Sequence, residues 1–222
     1  APARRAGGVR QLFIFDWDDT LLPLFWIEDQ PALRLLRPRA CPHGPQAWQA
    51  WDELARFEPI AERLLCLAKR LGEVAIVTLG SRDWVRESAQ SYLPHLAEQL
   101  LEVPVYYARD ISTGKLALAE EPASAKKRLA MLQAMDAIGT APGEKVDLMS
   151  IGDSDWEKRA AQDLGQACPD RIRWLKTVKL KDRPSLAVLS TQLTVLHDRL
   201  EAFAAEAAGG HMRAAQLTGD AP

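Results

Sequence analysis

The 222-residue sequence holds no apolar run approaching the ~20 residues needed to cross a bilayer, so a soluble protein is the expectation. Cysteine is scarce. Cys41, Cys66 and Cys168 are odd in number and widely spaced, which argues against a disulfide framework and suits the reduced thiols of an intracellular protein. No sign of charge dominates: 28 Lys and Arg face 30 Asp and Glu, a net charge of −2, and no nucleic-acid or membrane partner is expected. There is no internal repeat and no Gly-rich nucleotide loop. Cys41 and His43 share "CPHGP", but two residues do not make a zinc site, and His95, His197 and His211 are scattered. A cytoplasmic location is expected, with organellar import the alternative raised by Arg4, Arg5 and Arg10.

What is present is an alternation of short apolar runs with longer segments of helical period. The runs are Gln11–Phe15, Glu73–Leu79, Val103–Ala108, Val146–Gly152 and Ile172–Leu180. Several are apolar on both faces, as parallel strands covered by helices on each side require. Helical stretches lie between them, and Gly72 stands where a helix C-terminal cap would fall. After the fifth run, Leu186, Leu189, Leu193, Leu196, Leu200 and Phe203 recur every three or four residues. This stripe is expected to pack on the protein's own sheet, with a dimer seam as the alternative, so monomer or homodimer stays open. The pattern predicts a doubly wound, Rossmann-like α/β domain over residues 11–207. Residues 24–58 form a small insertion, and residues 1–10 and 208–222 are expected to be flexible termini. The chain opens on "APARRAGGVR" without Met, as a processed product or a piece of a longer protein would.

One short stretch carries the chemistry. "LFIFDWDDTLLP" (Leu12–Pro23) runs from apolar residues straight into Asp16, Asp18 and Asp19, three carboxylates that repel one another at neutral pH. A divalent cation and a phosphate would offset that repulsion. Ligands of open parallel sheets bind beyond the carboxyl ends of the strands. The residues found there are Asp16, Thr78 and Asp153, with lysines in "ASAKKR" between the third and fourth runs. A carboxylate nucleophile, a hydroxyl, a lysine and Mg²⁺ are the parts needed for phosphoryl transfer through an aspartyl-phosphate.

At these residues the sequence resembles the haloacid dehalogenase-like (HAD) hydrolases, in particular a largely uncharacterised minimal-cap branch. "LFIFDWDDTLLP" matches the family's Asp-x-Asp-x-Thr motif, "VAIVTLG" its Thr motif and "MSIGDSDWEKRAA" its late acidic motif. The resemblance implies a sheet of strand order 5-4-1-2-3 and a Mg²⁺-dependent phosphatase. By the same resemblance Asp16 is the nucleophile and Asp18 the general acid and base, its backbone carbonyl also binding Mg²⁺. Thr78 holds a phosphoryl oxygen, and Asp153 joins Asp16 and Asp18 at the metal. Thr20 and Gly80 support the loops, and Glu157 acts indirectly, through water or by orienting the lysine. Lys115, Lys126 and Lys127 all fall in the interval for the motif lysine. A helix starting near Ser124 favours Lys126, with Lys127 turned ~100° away.

The insertion holds Trp26, Trp48 and Trp51 with Arg34, Arg37 and Arg39. Trp26, Arg34 and Arg37 are candidates for gripping an anionic substrate, against the alternative that the tryptophans pack on the core. Such a small flap suits a phosphoprotein, another large substrate or a phosphosugar. The competing functions are a catalytically inactive binding module of the same fold, and a phosphotransferase or mutase.

Overall fold

In the computed structural model, which describes residues 9–34, 45–112, 121–139 and 143–217, the five apolar runs become strands of one sheet. They are β1 (Val9–Phe15), β2 (Glu73–Thr78), β3 (Val105–Tyr107), β4 (Lys145–Gly152) and β5 (Ile172–Lys179). A further strand, β6 (Gly210–Arg213), lies where the sequence predicts a frayed tail. All neighbours pair in parallel, in the order β3-β2-β1-β4-β5-β6. The expected five-strand order 5-4-1-2-3 is thereby corrected to six strands. Read from the opposite edge, the shared strands keep their adjacency, and β6 now covers β5.

The expected boundary at residue 207 moves with it. A 3₁₀ turn (Ala214–Leu217) follows β6, and Met212 and Leu217 are buried. "GHMR" has no β-branched run, so pairing with β5 and burial of Met212 make this a strand, not local propensity.

Side chains alternate across the sheet, and β1 feeds two cores. Phe13 and Phe15 join the larger one, Leu12 and Ile14 the smaller. The larger core is completed by α1 (Leu24–Asp29), α3 (Pro45–Leu71), α4 (Arg82–Tyr92), α5 (Pro94–Leu100) and α8 (Leu186–Ala205), with Leu33 from α2 (Pro31–Arg34). On the other face lie α6 (Pro122–Ala137) and α7 (Asp155–Ala167). The leucine stripe of α8 is buried in the larger core, as expected.

The segment from Ser81 to Leu101 divides at Pro94, which has no N–H to continue the helix. The start of α5 is held from across the core. Buried Glu58 of α3 accepts the backbone N–H groups of His95 (2.7 Å) and Leu96 (3.0 Å), donors the helix leaves unpaired. In the insertion, Trp26 and Trp51 pack against the core, and Trp51 stacks on Tyr92 with ring centroids 6.2 Å apart. Trp48 is 59% exposed.

Candidate functional site

The side chains of the three acids after β1 take three different sets of partners, although Asp18 and Asp19 still repel each other. Asp16 follows Ile14 onto the α6–α7 side, where its Oδ1 lies 3.0 Å from Lys127 Nζ. Asp18 turns toward α4 and accepts the Trp84 indole N–H at 2.8 Å. Asp19 sits at φ +51°, a left-handed conformation that Asp tolerates, and accepts the Phe25 N–H at 2.7 Å in the first turn of α1. Trp17, fully buried between Asp16 and Asp18, fixes the turn. Its carbonyl accepts the N–H groups of Leu21 (3.0 Å) and Leu22 (2.9 Å), and its indole donates to Ser88 Oγ at 3.0 Å. Thr20 is buried in the same turn.

The lysine that reaches Asp16 is Lys127, not the expected Lys126. Lys127 is buried and its Nζ bridges Asp16 and Glu157. Lys126 turns outward and donates to the Arg109 carbonyl at 2.8 Å; Lys115 lies outside the described residues. The helix also begins earlier than Ser124. Pro122 is its first residue, and the Glu121 side chain caps it by accepting the Ser124 N–H at 3.1 Å. Lys127 continues the buried line of Ala130, Met131 and Ala134, three, four and seven residues on. That phase is readable in the sequence and would have identified it.

Glu157 is held on both oxygens. Oε1 meets Lys127, while Oε2 accepts the Ser154 N–H at 2.9 Å and the Ser154 hydroxyl, completing a capping box at the start of α7. Gly152 makes room: a Cβ there would stand 2.5 Å from Glu157 Cγ. Opposite, Thr78 Oγ1 accepts the Gly80 N–H at 2.9 Å, leaving its own proton to donate.

These groups line a cleft of about 490 Å³ at the carboxyl ends of β1, β2 and β4. Its lining carries seven carboxylates against two lysines, Lys127 and Lys179, so one ammonium is shared by more acids than it can neutralise. Burial pushes Asp16 well above the usual carboxylate range against the pull of Lys127, and the charges of Glu157 and Asp153 add to the rise. Asp153 is pushed up to about 7 by burial first, then by Glu157 and Asp19. Asp19 rises to about 6, again mainly through burial. Burial also raises Asp18, and the Trp84 hydrogen bond offsets part of that. Lys127 is raised as well: burial alone would lower it, but the charges of Asp16 and Glu157 and their hydrogen bonds together outweigh that and keep it charged.

The donor set fits a hard divalent cation. Asp16, Asp153 and Glu157 each bring a carboxylate oxygen within 4.8 Å of the others. With both Glu157 oxygens engaged, Asp16 and Asp153 are the acids left to face a cation.

Sequence reading did not single out Trp84, Ser154 or Lys179, whose Nζ donates to the Asp153 carbonyl. Trp84 and Lys179 meet the site through long-range contacts that leave no local pattern, whereas Ser154 belongs to a Ser-x-x-Glu capping box that the sequence does display. Trp26 is packed on the core and does not line the cleft. Arg37 and the side chain of Arg34 lie outside the described residues. No protein family, curated protein or solved structure matches this chain.

Proposed function

We propose that this chain is a Mg²⁺-dependent phosphatase of the HAD type, forming an aspartyl-phosphate on Asp16. The observation that carries the reading is the buried Lys127, which joins Asp16 to Glu157 within one cleft that Thr78, Asp18 and Asp153 also line. An ion pair buried this fully costs desolvation, and that cost is hard to explain by stability alone.

In the proposed reaction an Asp16 oxygen bonds to phosphorus as the bond to the leaving group breaks, and Asp18 gives its proton to the departing oxygen. A water then attacks the phosphorus, passes a proton to Asp18 and frees Asp16 and inorganic phosphate. Lys127 orients Asp16 and offsets charge on the phosphoryl group, and Glu157 in turn holds Lys127. The Thr78 hydroxyl donates to a phosphoryl oxygen. Asp16 and Asp153 are the carboxylates that would hold Mg²⁺, which when bound neutralises negative charge at the reacting phosphate. The small flap suits a phosphoprotein, another large phosphoester or a phosphosugar.

The test is phosphate release from a phosphoester panel with Mg²⁺ or EDTA, for wild type and Asp16→Asn. Turnover that requires Mg²⁺ and disappears in the variant is the expected result. Inactivity of both proteins, with phosphate analogues still bound, would replace the enzyme by a binding module.

A further inference from the structure

We infer that Trp84 is a positioning residue, which selects the Asp18 oxygen that exchanges a proton with substrate. The inference rests on the phosphatase reading of the site.

The two oxygens of a carboxyl group are chemically equivalent, and its terminal torsion is broad. Left free, Asp18 would present either oxygen to a leaving group. The structure distinguishes them. Oδ1 accepts the Trp84 indole N–H at 2.8 Å, and an indole nitrogen can only donate. Oδ2 has no such donor among the described residues, and it lies near Thr78: one point, where a Cβ on Gly80 would stand, is 3.7 Å from Oδ2 and 3.2 Å from Thr78 Oγ1. The oxygen left for proton exchange is therefore the one whose neighbourhood includes the hydroxyl assigned to the phosphoryl group.

Trp84 is itself held rigidly. Its N–H donates to Ser81 Oγ at 3.1 Å, capping α4, and its carbonyl accepts the Ser88 hydroxyl at 2.6 Å. Ser88 Oγ in turn accepts the indole N–H of Trp17, the residue between Asp16 and Asp18. The acid's own loop and the helix that aims it are thus tied at two points. Gly80 is needed at the crossing, because a Cβ there would lie 2.8 Å from Trp84 Cδ1.

A residue that aims the acid matters when the leaving group needs a proton and matters little when it does not. The experiment compares Trp84→Phe and Trp84→His with wild type on an alkyl phosphate and on p-nitrophenyl phosphate, with Mg²⁺. Thermal melting confirms that each variant is folded. Trp84→Phe should lower kcat on the alkyl ester by ~10- to 100-fold, a share of what general acid catalysis supplies, with KM unchanged and the aryl ester much less affected. Trp84→His keeps a ring N–H and should recover part of the alkyl rate. It carries the comparison alone if the Phe variant does not fold. An unchanged alkyl-to-aryl ratio in the folded variants overturns the role of Trp84 while the phosphatase stands. A wild type inactive on both esters overturns the phosphatase and this inference together.

Discussion

At the scale of single residues, Lys126 and Lys127 are chemically identical neighbours that the fold assigns opposite duties. One is turned outward onto a backbone carbonyl; the other is buried between two carboxylates. Lys127→Met should lower phosphatase activity by ~10²-fold or more, in the range seen when a preorganised charge-stabilising group is removed. Lys126→Met should leave kcat essentially unchanged, and steady-state kinetics on the two variants decides the assignment. The acids were easier to read than the lysine. Asp16 and Asp153 directly follow apolar strands and Thr78 ends one, and in a parallel sheet those positions can only gather at one edge. A lysine within a helix carries no such marker; its direction depends on helical phase, which Met131 and Met135 set four and eight residues later.

At the scale of elements, the five strands with β-branched or aromatic runs were legible, and the sixth was not. β6 exists because β5 offers an edge to pair with and because Met212 and Leu217 find apolar cover. Long-range effects of that kind leave no local pattern. Leu217→Ala should destabilise the protein by about 2–5 kcal/mol, as removal of a fully buried leucine does, measured by urea unfolding. A change under about 0.5 kcal/mol, the usual size for surface substitutions, would mean that the 3₁₀ turn does not pack as described. The division of α4 from α5 was likewise hidden. Pro94 marks the break, but the carboxylate that caps the new helix comes from Glu58, far back in the chain.

Across the whole molecule, the excess of acid in the cleft couples folding to pH and to cations. Asp19 and Asp153 hold their protons to about 6 and about 7 in the folded state, while in the unfolded chain they release them near pH ~4. Between those limits the folded protein binds more protons than the unfolded one, so stability falls as pH rises from about 4 to 7. Without divalent cation, Tm should therefore decline across that window, and Asp153→Asn should flatten the decline. Added Mg²⁺ should raise Tm more at pH 8 than at pH 5, because a cation competes with protons for the same carboxylates. Equal Mg²⁺ effects at both pH values would argue against a cation site in this cleft.

The sheet also tapers. β1 and β4 at its centre run seven and eight residues, whereas the edge strands β3 and β6 have three and four. Exposed edge backbone is where one folded copy can template another into fibrils, and strands this short offer little to template upon. Among the described residues, the same β6 that the sequence conceals therefore ends the β5 side of the sheet in a strand of four residues, half the length of the one it covers.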